Sequence, residues 1–259
     1  MKYQSGNSRK GHVRGFLVVC AVIVHGFGSA QLVVDAIDSE VISDHTGGYL
    51  GTGVSFADFN GDGLDDLTFG HHDGALSFYA GNGDGFDPID LGLELPTAEA
   101  KGVLWADIDN DGDQDLFVAY RFAPNKLWLN DGEMGFEDVS SSCGIAQDNR
   151  RSFGPAFGDF DRDGLLDLFV ANYGYAVDVP QGNELYRNVG GGQFEDVTAE
   201  FGLDGENLQS FQATWMDVDR DGWLDLHVIR DRLIFPNLFY HNKAEEQGAV
   251  GFEEEAQER

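Results

Sequence analysis

Basic residues are scarce in this 259-residue chain: 16 Lys and Arg stand against 46 Asp and Glu, a formal net charge of −30. So negative a surface repels nucleic-acid phosphates and anionic headgroups, which excludes a nucleic-acid partner and a polybasic membrane contact. Cations, or cationic partners, are its natural counterpart. Cysteine is nearly absent, with only Cys20 and Cys143, so a disulfide scaffold is excluded and some other stabiliser is required. A membrane-spanning run is also missing: the apolar stretch Gly15 to Phe27 reaches about 20 Å at ~1.5 Å per residue, short of a ~30 Å hydrocarbon core, and His25 interrupts it. No nucleophile elbow, zincin His pair or phosphate-binding loop occurs.

What is present indicates a folded, turn-rich protein. Hydrophobic content of 42% and aromatic content of 12% are too high for a disordered acidic tail. The 35 glycines are about twice the usual share of ~7%, which suggests tight turns and short strands, an all-β composition.

The start of the chain differs from the rest. Lys2, Arg9, Lys10 and Arg14 precede the apolar run, and Gly28-Ser29-Ala30 follows it, the order of a secretory signal cleaved after Ala30. A lipoprotein signal at Cys20 is disfavoured by Val19, where a small residue is expected. Export would remove four cations and Cys20, leaving Cys143 alone. The expected organisation is a signal at 1–30, a lead-in strand segment at 31–47 and a repeat region at 48–259.

The repeat region carries one acidic loop four times: ADFNGDGLDDL from Ala57, ADIDNDGDQDL from Ala106, GDFDRDGLLDL from Gly158 and MDVDRDGWLDL from Met216. The first aspartates are spaced by 49, 52 and 58 residues, which divides the region near 48–96, 97–148, 149–206 and 207–259. Oxygen ligands at positions 1, 3 and 5, a carbonyl at 7 and a carboxylate at 9 suit one hard cation, with Gly at 6 for the sharp turn. The first set is Asp58, Asn60, Asp62, the Leu64 carbonyl and Asp66. The second is Asp107, Asp109, Asp111, the Asp113 carbonyl and Asp115; the third is Asp159, Asp161, Asp163, the Leu165 carbonyl and Asp167. The fourth is Asp217, Asp219, Asp221, the Trp223 carbonyl and Asp225. Calcium fits better than magnesium, which demands a tighter octahedron, so about four Ca2+ per chain are expected.

An EF-hand would need Glu at position 12, where Phe69, Val118, Val170 and Val228 stand, and the β-prone segments that follow are wrong for its helix. Ordinary hairpin turns would account for Asp and Gly, but not for acids kept in register at positions 1 and 9 of four copies. Downstream, NKLWLNDGEMGFEDVSSSCGI from Asn125 and NELYRNVGGGQFEDVTAEFGL from Asn183 read as strand, turn, strand. Asn237 to Asn242 begins the fourth unit's counterpart, whereas the first unit lacks the paired asparagines. About four strands per unit make blades of a β-propeller. Trp128, Tyr186, Tyr240, Phe136 and Phe194 are expected between blades, with stacking on carbohydrate as the other use of such rings.

These loops, with Phe153-Gly154-Pro155 ahead of the third, resemble the FG-GAP or VCBS repeats of integrin-α-like propellers. The N-x-L-[WY]-x-N and F-E-D-V segments further resemble the cartilage acidic protein group. The resemblance covers roughly 48–259 and implies a secreted or cell-surface, calcium-binding, non-catalytic module for adhesion or ligand recognition, with an extracellular protein or glycan as partner. Related propellers usually close with seven blades; four units suggest a partial sequence, ahead of a four-blade ring or an open ring that self-associates. A propeller-based enzyme acting on polysaccharide is the alternative class, and Arg150, Arg151, Arg230 and Arg232 are the residues that could line its mouth. His71 and His72, near Asp65 and Asp73, read as strand-end residues rather than a catalytic or metal pair; His45 and Asp44 carry no signal.

Overall fold

The computed structural model describes residues 52–174, 182–205, 209–231, 236–244 and 248–255. The expected signal and lead-in, Cys20, Asp44, His45 and Arg232 lie outside them. The described residues hold four four-stranded antiparallel sheets, each a simple meander. The first is β1 (Val54–Ala57), β2 (Asp66–Gly70), β3 (Leu76–Gly81) and β4 (Phe86–Ile89), and the second is β5 (Glu99–Ala106), β6 (Asp115–Arg121), β7 (Lys126–Asn130) and β8 (Phe136–Asp138). The third is β9 (Ser152–Gly158), β10 (Asp167–Asn172), β11 (Glu184–Gly190) and β12 (Gln193–Asp196), and the fourth is β13 (Ser210–Met216), β14 (Asp225–Arg230), β15 (Leu238–Asn242) and β16 (Phe252–Glu254).

The four blades share one register. Phe56, Trp105, Phe157 and Trp215 pair with Leu67, Leu116, Leu168 and Leu226, which pair in turn with Tyr79, Trp128, Tyr186 and Tyr240. Strand β1 packs on β5, β5 on β9 and β9 on β13, so the blades follow one another in chain order. No more than marginal contact joins the first blade to the fourth among the described residues, and these residues do not close a ring.

Alternation across a pleated strand explains why the inner strands of the middle blades are apolar without a break. In β10, Leu168 and Val170 face the second blade while Phe169 and Ala171 face the fourth, and all four are fully buried. In β6, Leu116 and Val118 join the core shared with the first blade, and Phe117 and Ala119 the core shared with the third. The rings expected between blades are there: Trp128 and Phe136 with the first core, Tyr186 and Phe194 with the second, Tyr240 with the third. Trp128, Tyr186, Tyr240 and Phe194 are buried, and Phe136 is partly so. In the first blade these positions are open, with Val54 and Phe56 more than half exposed where Val103 and Trp105 are buried; in the fourth blade it is Val218 and Ile229 that are exposed.

Polar residues tie the blades together as well. The second asparagine of each N-x-L-[WY]-x-N segment, and Asn242 in the fourth unit, reaches into the loop of the blade before it. The Nδ2 of Asn130 donates to Phe59 O (3.2 Å), that of Asn188 to Ile108 O (2.8 Å) and that of Asn242 to Phe160 O (3.0 Å). Each also donates to a carbonyl of its own loop, Gln114, Leu166 or Leu224. Gly81 occupies this place in the first blade, where a Cβ would meet Asp65 O at 2.6 Å. The F-E-D-V segments are structural too: Ser140 and Thr198, just beyond them, accept from the backbone N–H of Leu127 and Leu185, each at 2.9 Å, and pin the outer strand. Cys143 is a free, buried thiol in the second core.

Asn188→Ala leaves the buried Ile108 carbonyl and the part-buried Leu166 carbonyl without this donor, so it is expected to cost about 1–3 kcal/mol. Denaturant unfolding checks this, with Asn188→Asp as the variant that keeps volume and loses the donor.

Candidate metal loops

Each acidic loop joins the first two strands of a blade, so all four lie at the same end of the sheets. Their backbones are wound alike. Position 6 is a left-handed glycine in every copy, Gly63, Gly112, Gly164 and Gly222, with φ between 87 and 101°. Position 4 is left-handed too, and there only the first loop has glycine: Gly61 is followed by Asn110 (φ 61°), Arg162 (61°) and Arg220 (68°). Asparagine adopts this conformation fairly readily and arginine rarely, and at Arg220 the Asp217 carboxylate accepts the backbone N–H and helps hold it. Asp58, Asp107, Asp159 and Asp217 accept the N–H of the position 6 glycine at 2.8–3.1 Å, so the position 1 acid closes the loop as well as facing its interior.

Position 9 is the deepest. Asp66, Asp115, Asp167 and Asp225 are buried, and both oxygens of each accept backbone N–H groups. One bond comes from position 2 of the loop, from Phe59, Ile108, Phe160 or Val218, at 2.8–3.1 Å. The other comes from the third strand, from Gly81, Asn130, Asn188 or Asn242, at 2.8–2.9 Å. Burial nevertheless raises Asp66, and it pushes Asp115 up to about 6 and Asp167 up to about 7, with neighbouring loop acids adding to the rise. A bound cation is the counter-charge that such a group lacks.

The structure brings some of the expected ligands together and leaves others aside. Asp107, Asp109 and Asp115 in the second loop, and Asp159, Asp161 and Asp167 in the third, each offer oxygens within 4.8 Å of one another. Those are positions 1, 3 and 9. Position 5 stands outside both trios, with the Oδ1 of Asp111 and Asp163 accepting from Asp113 N and Leu165 N. Asp62 and Asp221 make the same bond to Leu64 N and Trp223 N. The first loop forms no acidic trio, its position 3 being Asn60. In the fourth, Asp219 and Asp221 converge with His241 rather than with Asp217 and Asp225.

Residues from the third strand modify the set, and the loop pattern alone gives no sign of them. The position before the second asparagine is Leu129, Arg187 or His241. Arg187 Nε lies 3.0 Å from Asp161 Oδ2, and His241 Nε2 lies 3.1 Å from Asp219 Oδ2. Hard oxygen donors fit calcium best in the second and third loops, where Asp109 Oδ1 and Asp159 Oδ1 are buried without a hydrogen-bond partner. A cation held in each of these loops would satisfy its orphaned oxygen.

The other sequence candidates lie at the opposite end of the sheets. His71 is buried with Nε2 2.7 Å from Ser77 Oγ, His72 lies 3.3 Å from Glu99, and Asp73 accepts from Ala75 N in a local turn. Arg150 pairs with Asp148 (2.7 Å) and Glu184 (3.1 Å), while Arg151 is bridged to Arg121 and Arg230 ends β14. No described helix is long and apolar enough to cross a membrane.

Successive four-stranded blades, each opened by a wound acidic loop, define a propeller-type repeat protein. The chain belongs to the FG-GAP-like repeat family, whose pattern matches residues 58–118, 107–170 and 165–228. It is similar to cartilage acidic protein 1 of Xenopus tropicalis, 33% identical over 84 residues, 32% of this chain and 13% of that protein. Similarity to cartilage acidic protein 1 of Homo sapiens is 32% over 73 residues, 28% and 11% of the two chains. The matches thus span about an eighth of the curated relatives. Among solved structures, the Vibrio cholerae biofilm matrix protein Bap1 aligns with 72% of this chain and 36% of its own, at 16% identity and a TM-score of 0.36.

A carboxyl whose pKa is raised by folding binds its proton more tightly in the folded chain, so its contribution to stability falls as pH rises through the interval between the two values. For Asp115 and Asp167 that interval runs from 3.8 to about 6 and about 7. In chelator, these two groups are expected to raise the melting temperature as pH is lowered from about 7 to about 4. Melting curves of Asp167→Asn against the parent check this; the variant should show a flatter pH dependence.

Proposed function

We propose that this chain is an exported, calcium-stabilised propeller module that recognises an extracellular protein or glycan and performs no chemistry. The observation that carries the reading is the fourfold register of the acidic loops, in which buried carboxylate oxygens of the second and third copies are left unpartnered. The residues that would hold the ion are those of positions 1, 3 and 9, with the remaining loop oxygens completing its shell. Bound calcium would supply the attraction that the clustered acids lack and take the place of the missing disulfides. The basic, apolar, small-residue order of residues 1–30 supports export. The open faces of the first and fourth blades, including Val54, Phe56, Val218 and Ile229, support self-association of the chain as a second property.

Calcium at about 100 times its dissociation constant adds ~2.7 kcal/mol per site to folding stability. Thermal unfolding in calcium and in chelator, with a count of bound ions, is the test: a rise in midpoint with about four ions per chain is expected. An unchanged midpoint with no bound ion would reduce the loops to turns and remove the basis of the reading. Asp109→Asn should lower the ion count by about one, because it removes one of the three carboxylates gathered in the second loop.

A further inference from the structure

The second and third acidic loops are the two in which three carboxylates converge, and they are joined to each other twice. One joint is buried. Asn188, on β11 of the third blade, donates its backbone N–H to Asp167 Oδ1 of its own loop at 2.9 Å and its side-chain Nδ2 to Ile108 O of the second loop at 2.8 Å. Ile108 in turn donates its N–H to Asp115 Oδ2 at 2.8 Å. The position 9 acids of the two loops are therefore the ends of one short hydrogen-bonded chain, Asp115 to Ile108 to Asn188 to Asp167, and every member of it is fully buried.

The other joint is at the surface. Asn110, at position 4 of the second loop, donates its Nδ2 to the carbonyl of Gly164, at position 6 of the third, at 2.9 Å. Gly164 also donates its N–H to Asp159 Oδ2 at 3.1 Å, and Asn110 directly follows Asp109 in the chain. A second amide thus connects the residue beside one loop's position 3 acid to the residue held by the other loop's position 1 acid. The first loop has no side chain to offer at its position 4, which is Gly61, and the third meets the fourth there through a ring, with the Arg162 guanidinium carbon 4.7 Å from the centre of Trp223.

Three carboxylates gathered within 4.8 Å repel one another, so a loop without a cation is driven to spread, and a loop that spreads carries its carbonyl, Ile108 O or Gly164 O, away from the amide of its neighbour. A cation closes the loop and sets that carbonyl in place. The neighbour's asparagine is then already held, and the second loop to fill has less chain left to order. Repulsion between two bound cations works the other way, but salt screens exposed charges over ~8 Å at physiological ionic strength and acts much less on a buried chain.

We propose that the second and third loops are a coupled pair of cation sites, in which an ion held by one raises the affinity of the other through the Asn188 and Asn110 amides. The pair rests on the reading of these loops as calcium sites. Filled together, the two sites respond to calcium over a narrower range of concentration than independent sites would.

Calcium titration of the full chain followed by NMR tests the pair, because the amide resonances of Gly112 and Gly164, each donating to the position 1 acid of its own loop, report the two loops separately. Asp109→Asn disables the second loop and is expected to move the Gly164 midpoint to at least about fivefold higher calcium. Reciprocity of binding calls for Asp159→Asn to move the Gly112 midpoint by a similar factor. Both joints are removed by Asn110→Gly, which suits the left-handed backbone (φ 61°) and copies the residue of the first loop, combined with Asn188→Ala. In that background Asp109→Asn is expected to move the Gly164 midpoint by less than about twofold. The charge lost with Asp109 is common to both backgrounds and cancels between them. Asn110→Gly alone leaves the buried joint intact and guards against loss of the fold; there the shift should lie between the other two. A Gly164 midpoint indifferent to Asp109→Asn, or one that moves equally with and without the joints, would overturn the coupling and leave the calcium reading in place. Resonances of both loops that ignore calcium would overturn that reading as well.

Discussion

Everything in this fold hangs on a buried carboxylate. At the start of the second strand of every blade an aspartate, Asp66, Asp115, Asp167 or Asp225, sits out of water with both oxygens bound to backbone N–H groups, one from the loop before it and one from the third strand. Burying a charge without a partner is among the costliest things a protein can do. Two amides reduce that cost and fix the geometry of loop and sheet together, and a cation would remove most of what remains. The same atoms therefore set the strand register and shape the loop.

The first blade shows what happens when one part of this arrangement is changed. Gly81 still donates its N–H to Asp66, so the register is kept, but it has no side chain to extend toward a neighbour. From the second blade onward the residue is asparagine, and its amide links the loop of one blade to the loop of the one before. Blade contact thus has two layers, a ring and branched-aliphatic core in the sheets and a line of polar links at the loop end. The paired apolar runs of β6 and β10 follow from being covered on both faces. Thr68 and His227 stand where those strands have Phe117 and Phe169; Thr68 is covered and accepts the indole N–H of Trp105, while His227 lies on the open face of the last blade.

Much of this was legible in the residues, because the loop signal is local. Acids at alternate positions, a glycine at the sixth and β-prone residues after the ninth are all set within eleven residues, and the repetition turned a weak pattern into a strong one. The strand pairs, the blades and the rings between them followed. Several features were not legible, for a common reason. The asparagine links join residues 71, 80 and 82 positions apart, and Arg187 and His241 enter the loops from a strand more than twenty residues on. The left-handed fourth position was hidden because Arg162 and Arg220, unlike glycine or asparagine, carry no sign of it; the fold around them overrides their preference. Arg150 and Arg151 were visible as a basic pair, but only the bridge to Arg121 placed them at the far end of the sheets.

The loops, the buried aspartates and the asparagine links all occupy one end of the stack, and the arginine-rich rim occupies the other. Loss of cations would therefore act on one edge of the assembly alone. The blades would behave like the leaves of a book gripped along the spine, free to fan at the acidic margin while the opposite margin stays bound. If the loops hold cations, a module built this way would convert the ionic composition of its surroundings into a change of curvature, with the sheets themselves unaltered.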